Sequence, residues 1–338
     1  MAQLASRPIK DRKIEAFRNQ MQGEVLDPAS SSYDATRMVW NAMIDRRPAF
    51  IARSRNAADV AASIGFAREQ GLTIAVRGGG HNVAGYAVCE GGLMLDLSLM
   101  NGVQMGPGLD RVTVEGGATW GDVDAVTTPF GRATPGGLIS KTGVAGLTLS
   151  GGIGWLRGRH GLSCDNFMAA DVVTADGKLI QANESENPEL LWALRGGGGN
   201  FGVVVSFEFK LHAIEPELMF CGPAYPEERA DEIISLWRNF MKTAPDRLSG
   251  LAEFSTIPQD PSIPEHAWGR RVVALAHVYD GPAEEGERVV QSLRNFGEPL
   301  VDFSGRMPYR TIQTLYDGFF PKGRDRCYWK STLPQGPQ

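Results

Sequence analysis

Three glycine clusters constrain the fold of this chain more than any other feature of its sequence. Residues 77–82 are Arg-Gly-Gly-Gly-His-Asn, residues 136–161 hold nine glycines, and residues 195–202 are Arg-Gly-Gly-Gly-Gly-Asn-Phe-Gly. Glycine has no Cβ, so another backbone or a ligand can approach it closely. The 41 glycines among 338 residues exceed the usual share of about 7%. Their clustering predicts loops that wrap around a ligand rather than a flexible linker.

The overall composition is that of an ordinary globular protein. With 42% hydrophobic and 22% charged residues, the chain is long enough for about two domains. The net charge of −5 includes no basic block and no acidic tail, so neither nucleic acid nor a membrane is an expected partner. Residues 1–22 lack a signal-peptide pattern, and no long apolar run occurs, so we predict a cytoplasmic protein.

The four cysteines form neither a CxxC pair nor a zinc-binding spacing, and we predict no metal site and no disulfide framework. We predict that Cys89, Cys221 and Cys327 are buried as small apolar side chains. Cys164 is different, because it lies in the sequence Gly-Leu-Ser-Cys-Asp-Asn at the end of the second glycine cluster.

Local signals before the first glycine cluster predict helix followed by strand. Asn56 can cap a helix over residues 57–70, whose apolar residues share one face, and Gly71 can end it. A strand over residues 72–76 follows at once. The early part of the chain is therefore predicted to be α+β.

The residues after the first cluster show which of two kinds of dinucleotide-binding fold the sequence favours. In a Rossmann fold the glycine turn opens a helix whose amino terminus holds the pyrophosphate. Here residues 82–92 contain further glycines and lead into an apolar strand over residues 93–97. Phosphates would therefore be held by loop amides rather than by a helix. We expect Asp96, in that apolar strand, to be a structural residue rather than a ribose ligand.

The second glycine cluster alternates with apolar residues. We expect these side chains to pack beneath a loop whose amides face a ligand, with hydroxyl groups from Thr134 and Thr142 nearby. The alternative is a set of tight turns in a β-rich segment. Farther on, residues 171–178 predict two strands joined by an Asp-Gly turn, and residues 203–209 predict another strand.

Four motifs in register resemble one family. They begin at Arg77 (Arg-Gly-Gly-Gly-His-Asn-Val-Ala-Gly), at Gly151 (residues 151–166, which end in Gly-Leu-Ser-Cys-Asp-Asn), at Val172 (Val-Val-Thr-Ala-Asp-Gly) and at Arg195 (Arg-Gly-Gly-Gly-Gly-Asn-Phe-Gly-Val-Val). In these motifs the chain is similar to the FAD-linked oxidoreductases of the vanillyl-alcohol oxidase superfamily, and within it to the berberine bridge enzyme-like branch. The resemblance covers residues 30–215 continuously.

The resemblance implies an α+β fold: a two-subdomain, PCMH-type FAD-binding module followed by a substrate domain with an antiparallel sheet and helices. We predict an N-terminal segment 1–45 that packs on the module, the module itself over 46–215, and a partial substrate domain over 216–338. In that domain we predict helices over 228–242 and 283–296 and a strand over 271–278. Family members normally continue beyond this point, so we expect the polar tail ending at Gln338 to mark a truncation that leaves the sheet incomplete.

The resemblance also implies cofactor contacts. His81 would carry an 8α-histidyl bond to FAD and Cys164 a 6-S-cysteinyl bond, so the FAD would be bicovalent. The other implied cofactor-binding residues are Arg77, Gly78, Gly79, Gly80, Asn82, Thr142, Gly143, Gly146, Gly154, Asn166 and Val173. Positive charge near a thiol lowers its pKa. We expect Arg157, Arg159 and His160 to supply such charge near Cys164. The negative charge of Asp165 would act in the opposite direction.

The implied activity is that of an oxidase. Hydride would pass from a C–H group bearing a hydroxyl or amine to FAD, and molecular oxygen would then be reduced to hydrogen peroxide. A bulky small-molecule substrate, such as a glycoside or a polycyclic metabolite, is expected, whereas the catalytic base and the oligomeric state are not predicted. We expect Tyr309, Tyr316 and Tyr328 to pack rather than catalyse. The alternatives are a catalytically silent FAD-binding protein and a nicotinamide-dependent dehydrogenase.

Overall fold

The computed structural model describes residues 9–332, so the first eight residues and the tail 333–338, on which a truncation was predicted, lie outside it. The described helices are α1 Asp11–Gln20, α2 Tyr33–Arg37, α3 Ala57–Gln70, α4 Trp120–Thr127, α5 Val144–Thr148, α6 Arg157–His160, α7 Pro188–Leu194, α8 Ala230–Met241, α9 Ala283–Arg294 and α10 Tyr309–Thr314. None of them is long and apolar enough to cross a membrane.

The strands of the described residues form three main sheets and one small two-stranded sheet. In chain order they are β1 Glu24–Leu26, β2 Phe50–Arg53, β3 Ile74–Arg77, β4 Leu93–Asp96, β5 Val103–Met105, β6 Arg111–Glu115, β7 Arg132–Ala133, β8 Phe167–Val173, β9 Leu179–Ala182, β10 Val203–Lys210, β11 His212–Ala213, β12 Leu218–Cys221, β13 Pro223–Pro226, β14 Leu248–Thr256, β15 Arg271–Tyr279, β16 Val301–Asp302 and β17 Gly305–Met307.

The first sheet has the order β1-β2-β4-β3, in which β2, β4 and β3 are parallel. Helix α3 connects β2 to β3 and has the predicted bounds. The Asn56 side chain accepts a hydrogen bond from the Asp59 amide at 2.9 Å, and Gly71 ends the helix at a φ of 65°. Helix α1 packs on α3 through the stacked rings of Phe17 and Phe66, 4.2 Å apart. The N-terminal segment thus lies against the first sheet and its helix.

The second sheet is antiparallel, with the order β5-β6-β10-β8-β9. Strands β8 and β9 form the predicted hairpin, and Gly177 in its turn has a φ of 85°. The core residues of this sheet include Trp120, whose ring meets Phe209 edge to face at 5.6 Å. The α+β class and the two-sheet architecture of the predicted module are therefore confirmed, whereas the boundaries at residues 45 and 215 stay predictions.

The third sheet is antiparallel and is built around β15. Strand β14 pairs with one edge of β15, and β12 and β13 share the other. One face is covered by α8 and α9, whose bounds lie within a few residues of those predicted. Cys221 is buried on this face, as predicted. The opposite face packs on Trp155 and on α10. The third sheet therefore lies directly against the second glycine cluster.

The two other cysteines expected to be buried differ from each other. Cys89 is buried, as predicted, whereas Cys327 is only half-buried, so that prediction is wrong for Cys327. Cys327 lies in an irregular segment on the surface, where its amide and carbonyl bond to the Asn41 side chain. Its position is set by backbone hydrogen bonds rather than by burial of the thiol.

A buried carboxyl group joins α4 to α10. Asp124 is 1% exposed, and the Gln313 side chain donates a hydrogen bond to its Oδ2 at 3.0 Å. Burial raises the pKa of Asp124 to about 7, which the Gln313 hydrogen bond and Arg310 partly oppose. Below about pH 7 the folded protein therefore favours the neutral carboxyl group.

We expect Asp124→Asn to make the free energy of unfolding less dependent on pH. The folded-state pKa of about 7 lies above the ordinary 3.8, so the stabilisation is complete below the ordinary pKa and is lost as pH rises through about 7. One pKa unit corresponds to about 1.4 kcal/mol, which makes the effect a few kcal/mol. Urea unfolding between acidic and alkaline pH measures it, with exposed Asp246→Asn as control. Identical pH profiles for wild type and Asp124→Asn would contradict the prediction.

Candidate flavin-binding site

The first and second glycine clusters meet backbone to backbone. The first cluster follows β3, and a Cβ placed on Gly79 would collide with the amide of Gly143, just as one on Gly143 would collide with Gly79. A Cβ on Gly78 would reach the Gly116 carbonyl at 3.0 Å. Glycine at these positions therefore allows two loops to touch where no side chain fits.

We expect Gly79→Ala to destabilise the protein and to weaken cofactor retention. The added methyl group must push the two loops apart, and overpacking of this kind costs about 1–3 kcal/mol. The matched control is Gly65→Ala in α3, where a Cβ meets no atom within 4 Å and alanine should add about 0.5–1 kcal/mol to helix stability. Thermal unfolding and bound flavin per chain are the measurements. Equal values for Gly79→Ala and wild type would contradict the prediction.

The second cluster also holds the Cys164 segment and the third cluster. The carbonyl of Gly151 accepts a hydrogen bond from the Cys164 amide at 2.9 Å, and the carbonyl of Gly152 accepts one from Ser163 at 3.0 Å. The Gly198 amide donates to the carbonyl of Leu149 at 2.7 Å. All three glycine clusters, which are far apart in sequence, are thus joined around α5.

The second cluster differs in detail from the predicted loop. It contains the short helices α5 and α6, and Ile153, which was expected to pack inward, is 59% exposed. Trp155 is fully buried, as predicted. The cluster therefore combines two helical turns with glycine segments rather than forming one continuous loop.

His81 is a half-buried member of the first cluster. Its ring stacks on Trp40 with centroids 5.7 Å apart. Burial lowers the pKa of His81 to about 4, Lys322 acts in the same direction, and Asp317 and a hydrogen bond with the Lys141 backbone oppose the shift. Above that pH the imidazole is neutral and keeps a free lone pair, as a nucleophile must.

Trp40 belongs to a contact between two distant parts of the chain, residues 40–42 and 320–329, which we call the clasp. The Trp40 indole donates to the Phe320 carbonyl at 3.0 Å, and the Gly323 amide donates to the Trp40 carbonyl at 2.8 Å. The Asn41 side chain bonds to both backbone groups of Cys327, at 2.8 and 3.0 Å. The rings of Phe320 and Trp329 also lie 6.1 and 5.8 Å from that of Trp40, so the clasp packs against the residue on which His81 stacks.

Cys164 is 7% exposed, and its surroundings differ from the sequence-based expectation. Burial raises the pKa of Cys164, Asp165 raises it further with an oxygen 3.9 Å from Sγ, and Arg195 opposes the shift. Arg157 donates instead to the carbonyls of Gly154 and Gly250. The expectation that Arg157, Arg159 and His160 lower this pKa is wrong, because these side chains are directed to the third sheet.

Arg77 is engaged in structural contacts through its side chain. Its guanidinium forms two hydrogen bonds to the Asp96 carboxylate, at 3.1 and 3.0 Å, and bonds to the Thr36 carbonyl. This pairing fixes the end of β3 to the end of β4, so the structural role predicted for Asp96 is confirmed. Any contact of Arg77 with a cofactor is left to its backbone.

The remaining predicted site residues lie around these loops. Asn82 is exposed, and its side-chain oxygen accepts a hydrogen bond from the backbone amide of Tyr86 at 3.0 Å. Val173 ends β8 and is buried. Gly154 packs tightly on the carbonyl of Gly136, where no Cβ would fit. The role of each as a cofactor contact stays a prediction.

Helix α5 separates the two predicted anchors. At its amino-terminal side, Gly79, two residues before His81, touches the backbone of Gly143. At its carboxyl-terminal side, Gly151 donates to the Thr148 carbonyl at 3.1 Å and accepts from Cys164. Five residues rise by roughly 7–8 Å, so the two segments that carry the predicted anchors lie at opposite ends of a short helix.

A tyrosine–carboxylate pair lies where the third sheet faces the second cluster. The Tyr316 hydroxyl donates to Glu253 Oε1 at 2.9 Å, and the Tyr316 ring lies 5.8 Å from that of Trp155. The next residue, Asp317, accepts hydrogen bonds from the amide and hydroxyl of Ser140, at 3.0 and 2.5 Å. Burial raises the pKa of Glu253, although Tyr316 opposes it. No sequence motif pointed to this pair.

The residues present fit a flavin dinucleotide. No side chain caps the amino terminus of α5; the Val144 amide donates to the Ala118 carbonyl at 2.9 Å, and the next two amides, of Ala145 and Gly146, can face a phosphate. Among the described residues, the buried hydroxyls of Thr134 and Thr148 have no hydrogen-bond partner. Neutral His81 and the thiol of Cys164 supply two nucleophilic groups around the same helix. Fold and site together define a protein that binds a flavin dinucleotide.

Comparisons with known proteins agree with this class. Residues 48–183 match the model of the FAD binding domain family. The chain is 36% identical over 295 residues to (R)-6-hydroxynicotine oxidase of Paenarthrobacter nicotinovorans, covering 87% of this chain and 63% of that protein. The chain therefore belongs to the family of proteins with this FAD binding domain, and its relatives are named FAD-linked oxidoreductases and oxidases.

Solved structures have the same fold. The crystal structure of 6-hydroxy-D-nicotine oxidase from Arthrobacter nicotinovorans superposes with a TM-score of 0.81 at 32% identity, covering 90% of this chain and 66% of the other. Glucooligosaccharide oxidase from Acremonium strictum, whose FAD is described as 6-S-cysteinyl and 8α-N1-histidyl, gives 0.77 at 26% identity, covering 94% and 64%. The chain thus spans just under two thirds of the length of these proteins.

Proposed function

We propose that the protein is an FAD-dependent oxidase whose cofactor is attached through both His81 and Cys164. The observation that carries this proposal is the placement of the His81 and Cys164 segments at opposite ends of α5, through the contact of Gly79 with Gly143 and the hydrogen bond of the Cys164 amide to Gly151. The double attachment named for glucooligosaccharide oxidase supports it. A nicotinamide-dependent dehydrogenase is disfavoured because the glycine turn leads into no helix and the matched domain binds FAD.

The two attachments are balanced oxidations. Bonding of His81 breaks one N–H and one C–H bond of the flavin 8α-methyl group, and bonding of Cys164 breaks one S–H bond and the flavin C6–H bond. One N–C or S–C bond forms in each case. The two protons and two electrons released each time reduce one molecule of oxygen to hydrogen peroxide.

FAD, when bound, supplies the hydride acceptor and passes two electrons to oxygen, which gives hydrogen peroxide. The chain's own residues must bind the substrate and remove the proton from its hydroxyl or amine group. Glu253 is the candidate proton acceptor, since its raised pKa makes it a stronger base than an ordinary exposed carboxylate. Tyr316 stays protonated, because burial and Glu253 raise its pKa, and it orients the carboxylate.

The position of Glu253 on β14 supports this assignment. Leu251, two residues earlier, packs in the cluster that contains Trp155. Because alternate residues of a strand share one face, Glu253 also faces the second glycine cluster. A substrate bound between β14 and that cluster would therefore have Glu253 on one side and the predicted flavin ring on the other.

The substrate class we propose is a small molecule with a CH–OH or CH–NH group, in which the C–H bond gives up the hydride. One relative is named for 6-hydroxynicotine and another for xylooligosaccharide, so both amines and sugars are candidates. The glycoside or polycyclic substrate, the use of oxygen and the cytoplasmic location stay predictions.

An absorbance spectrum of the purified protein before and after acid precipitation tests the proposal. Flavin absorbance that stays with the precipitate, together with hydrogen peroxide formed from a candidate amine or oligosaccharide, is the expected result. Flavin released into the supernatant would contradict covalent attachment. Bound flavin with no peroxide from any tested donor would favour the catalytically silent alternative.

A further inference from the structure

Two histidines stack where the FAD-binding module meets the third sheet. His160 lies in α6 and His212 in β11, and their ring centroids are 3.8 Å apart with planes inclined by 20°. His160 Nε2 lies 2.9 Å from Oδ2 of Asp280, which follows β15. On the other side, His212 Nε2 lies 2.6 Å from Oδ1 of Asn166. The histidine stack thus connects Asp280 of the third sheet to Asn166.

The hydrogen bonds of Asn166 identify the donor in this contact. Its side-chain nitrogen donates to the carbonyls of His160 and Leu162, at 2.8 and 2.9 Å. The remaining oxygen can only accept, so His212 Nε2 must carry the hydrogen. Burial lowers the pKa of His212 to about 4, with His160, Lys210 and Arg159 acting in the same direction and Asp280 opposing. His212 therefore donates as a neutral imidazole.

Asn166 in turn shapes the segment that carries Cys164. Its two donated hydrogen bonds close the chain from residue 160 to residue 166 into a loop, and Asn166 itself is 4% exposed. Cys164 lies within that loop and is held from the outside by Gly151. An Asn166 side chain that rotated would lose both carbonyl contacts, and the loop would lose its fixed shape.

We propose that His212, supported by His160 and Asp280, is a positioning residue that fixes Asn166 and thereby aims the Cys164 thiol at the flavin. The inference rests on the proposed function and adds to it the residue that controls the second attachment. The bond is the one described above: S–C6 forms, S–H and C6–H break, and oxygen takes the two protons and two electrons.

Charged groups of the third sheet and of α6 lie beside the His160 ring. Asp280 is 1% exposed and is approached by Arg159 at 3.5 Å and by His160 Nε2 at 2.9 Å. The Asp280 carboxylate therefore lies against the His160 ring on the side of the third sheet. His212 gains its orientation by stacking on that ring, and the third sheet is linked in this way to the geometry at Cys164.

The test compares His212→Ala, His212→Gln and exposed His266→Ala, all purified with flavin. Trypsin yields a peptide over residues 78–111 with His81 and another over 160–178 with Cys164, and mass spectrometry gives the flavin-linked fraction of each. Since a misplacement of about 1 Å can cost 10²-fold in rate, we expect His212→Ala to slow Cys164 attachment by about ten- to hundredfold and to leave His81 attachment unchanged. Glutamine, whose amide supplies an N–H donor, should restore most of it, and His266→Ala should match wild type.

Three results would overturn the inference. The first is Cys164 attachment in His212→Ala at the wild-type rate. The second is an equal loss of both attachments in that variant, which would make His212 a general structural residue. The third is a failure of His212→Gln to recover any attachment. Wild-type protein attached through His81 alone would contradict the proposed double attachment itself, and the inference with it.

Discussion

Replacing both His81 and Cys164 with alanine will release all flavin on acid precipitation, whereas either single replacement will retain it. One covalent bond is enough to keep the cofactor in the precipitate, so only the double variant lacks an anchor. Each single variant should also turn over more slowly, by about tenfold or more, since small displacements of a reacting group are costly. Absorbance of pellet and supernatant, with peroxide release, provides the measurement.

The controls for this experiment are residues of the same types outside the site. Cys89→Ala removes a buried thiol, and His266→Ala removes an exposed imidazole. Both variants should behave as wild type. If His81→Ala alone frees all the flavin and Cys164→Ala changes nothing, Cys164 is a buried structural thiol and the FAD is attached once.

Glu253→Gln should lower kcat by about 10²–10⁴-fold, the usual contribution of a general base. The amide keeps the size of the side chain and can still accept from Tyr316, but it cannot take a proton. Because burial raises the pKa of Glu253, wild-type activity should rise with pH through that pKa as the carboxylate forms. The variant should lose this acidic limb of the pH–rate profile.

Two further variants make the Glu253 experiment specific. Tyr316→Phe removes only the group that orients the carboxylate and should cost less than Glu253→Gln. Glu208→Gln changes a carboxylate on β10 that pairs with Arg111 on the surface, and it should leave kcat unchanged. Flavin content must be equal in all three variants. A Glu253→Gln enzyme with at least half the wild-type kcat would show that another group accepts the proton.

Local physical rules predicted the features that depend on neighbouring residues. The bounds of α3 followed from the Asn56 cap, the periodic apolar face and Gly71, all within one short segment. The hairpin of β8 and β9 followed from its Asp-Gly turn in the same way. The family resemblance supplied the rest of the module, because four glycine motifs occur in a fixed order.

Features that depend on tertiary contact were not predictable from the sequence. Glu253 and Tyr316 are 63 positions apart, and no spacing rule connects them. The same is true of His160 and His212, which meet only because β11 and α6 are adjacent in space. The pKa of Cys164 was predicted in the wrong direction, since three basic residues close in sequence point away from the thiol in the fold.

The clasp bears on the order in which the protein can be assembled with its cofactor. Asn41 and Cys327 are 286 positions apart, so a growing chain contains Trp40 long before residues 320–329 exist to pack on it. Contacts between such distant positions also slow folding. Neither half of the clasp belongs to a strand of the main sheets, and the sheets can therefore be complete while Trp40 is still uncovered. Because the His81 ring stacks on Trp40, we infer that entry of the dinucleotide precedes closure of the clasp.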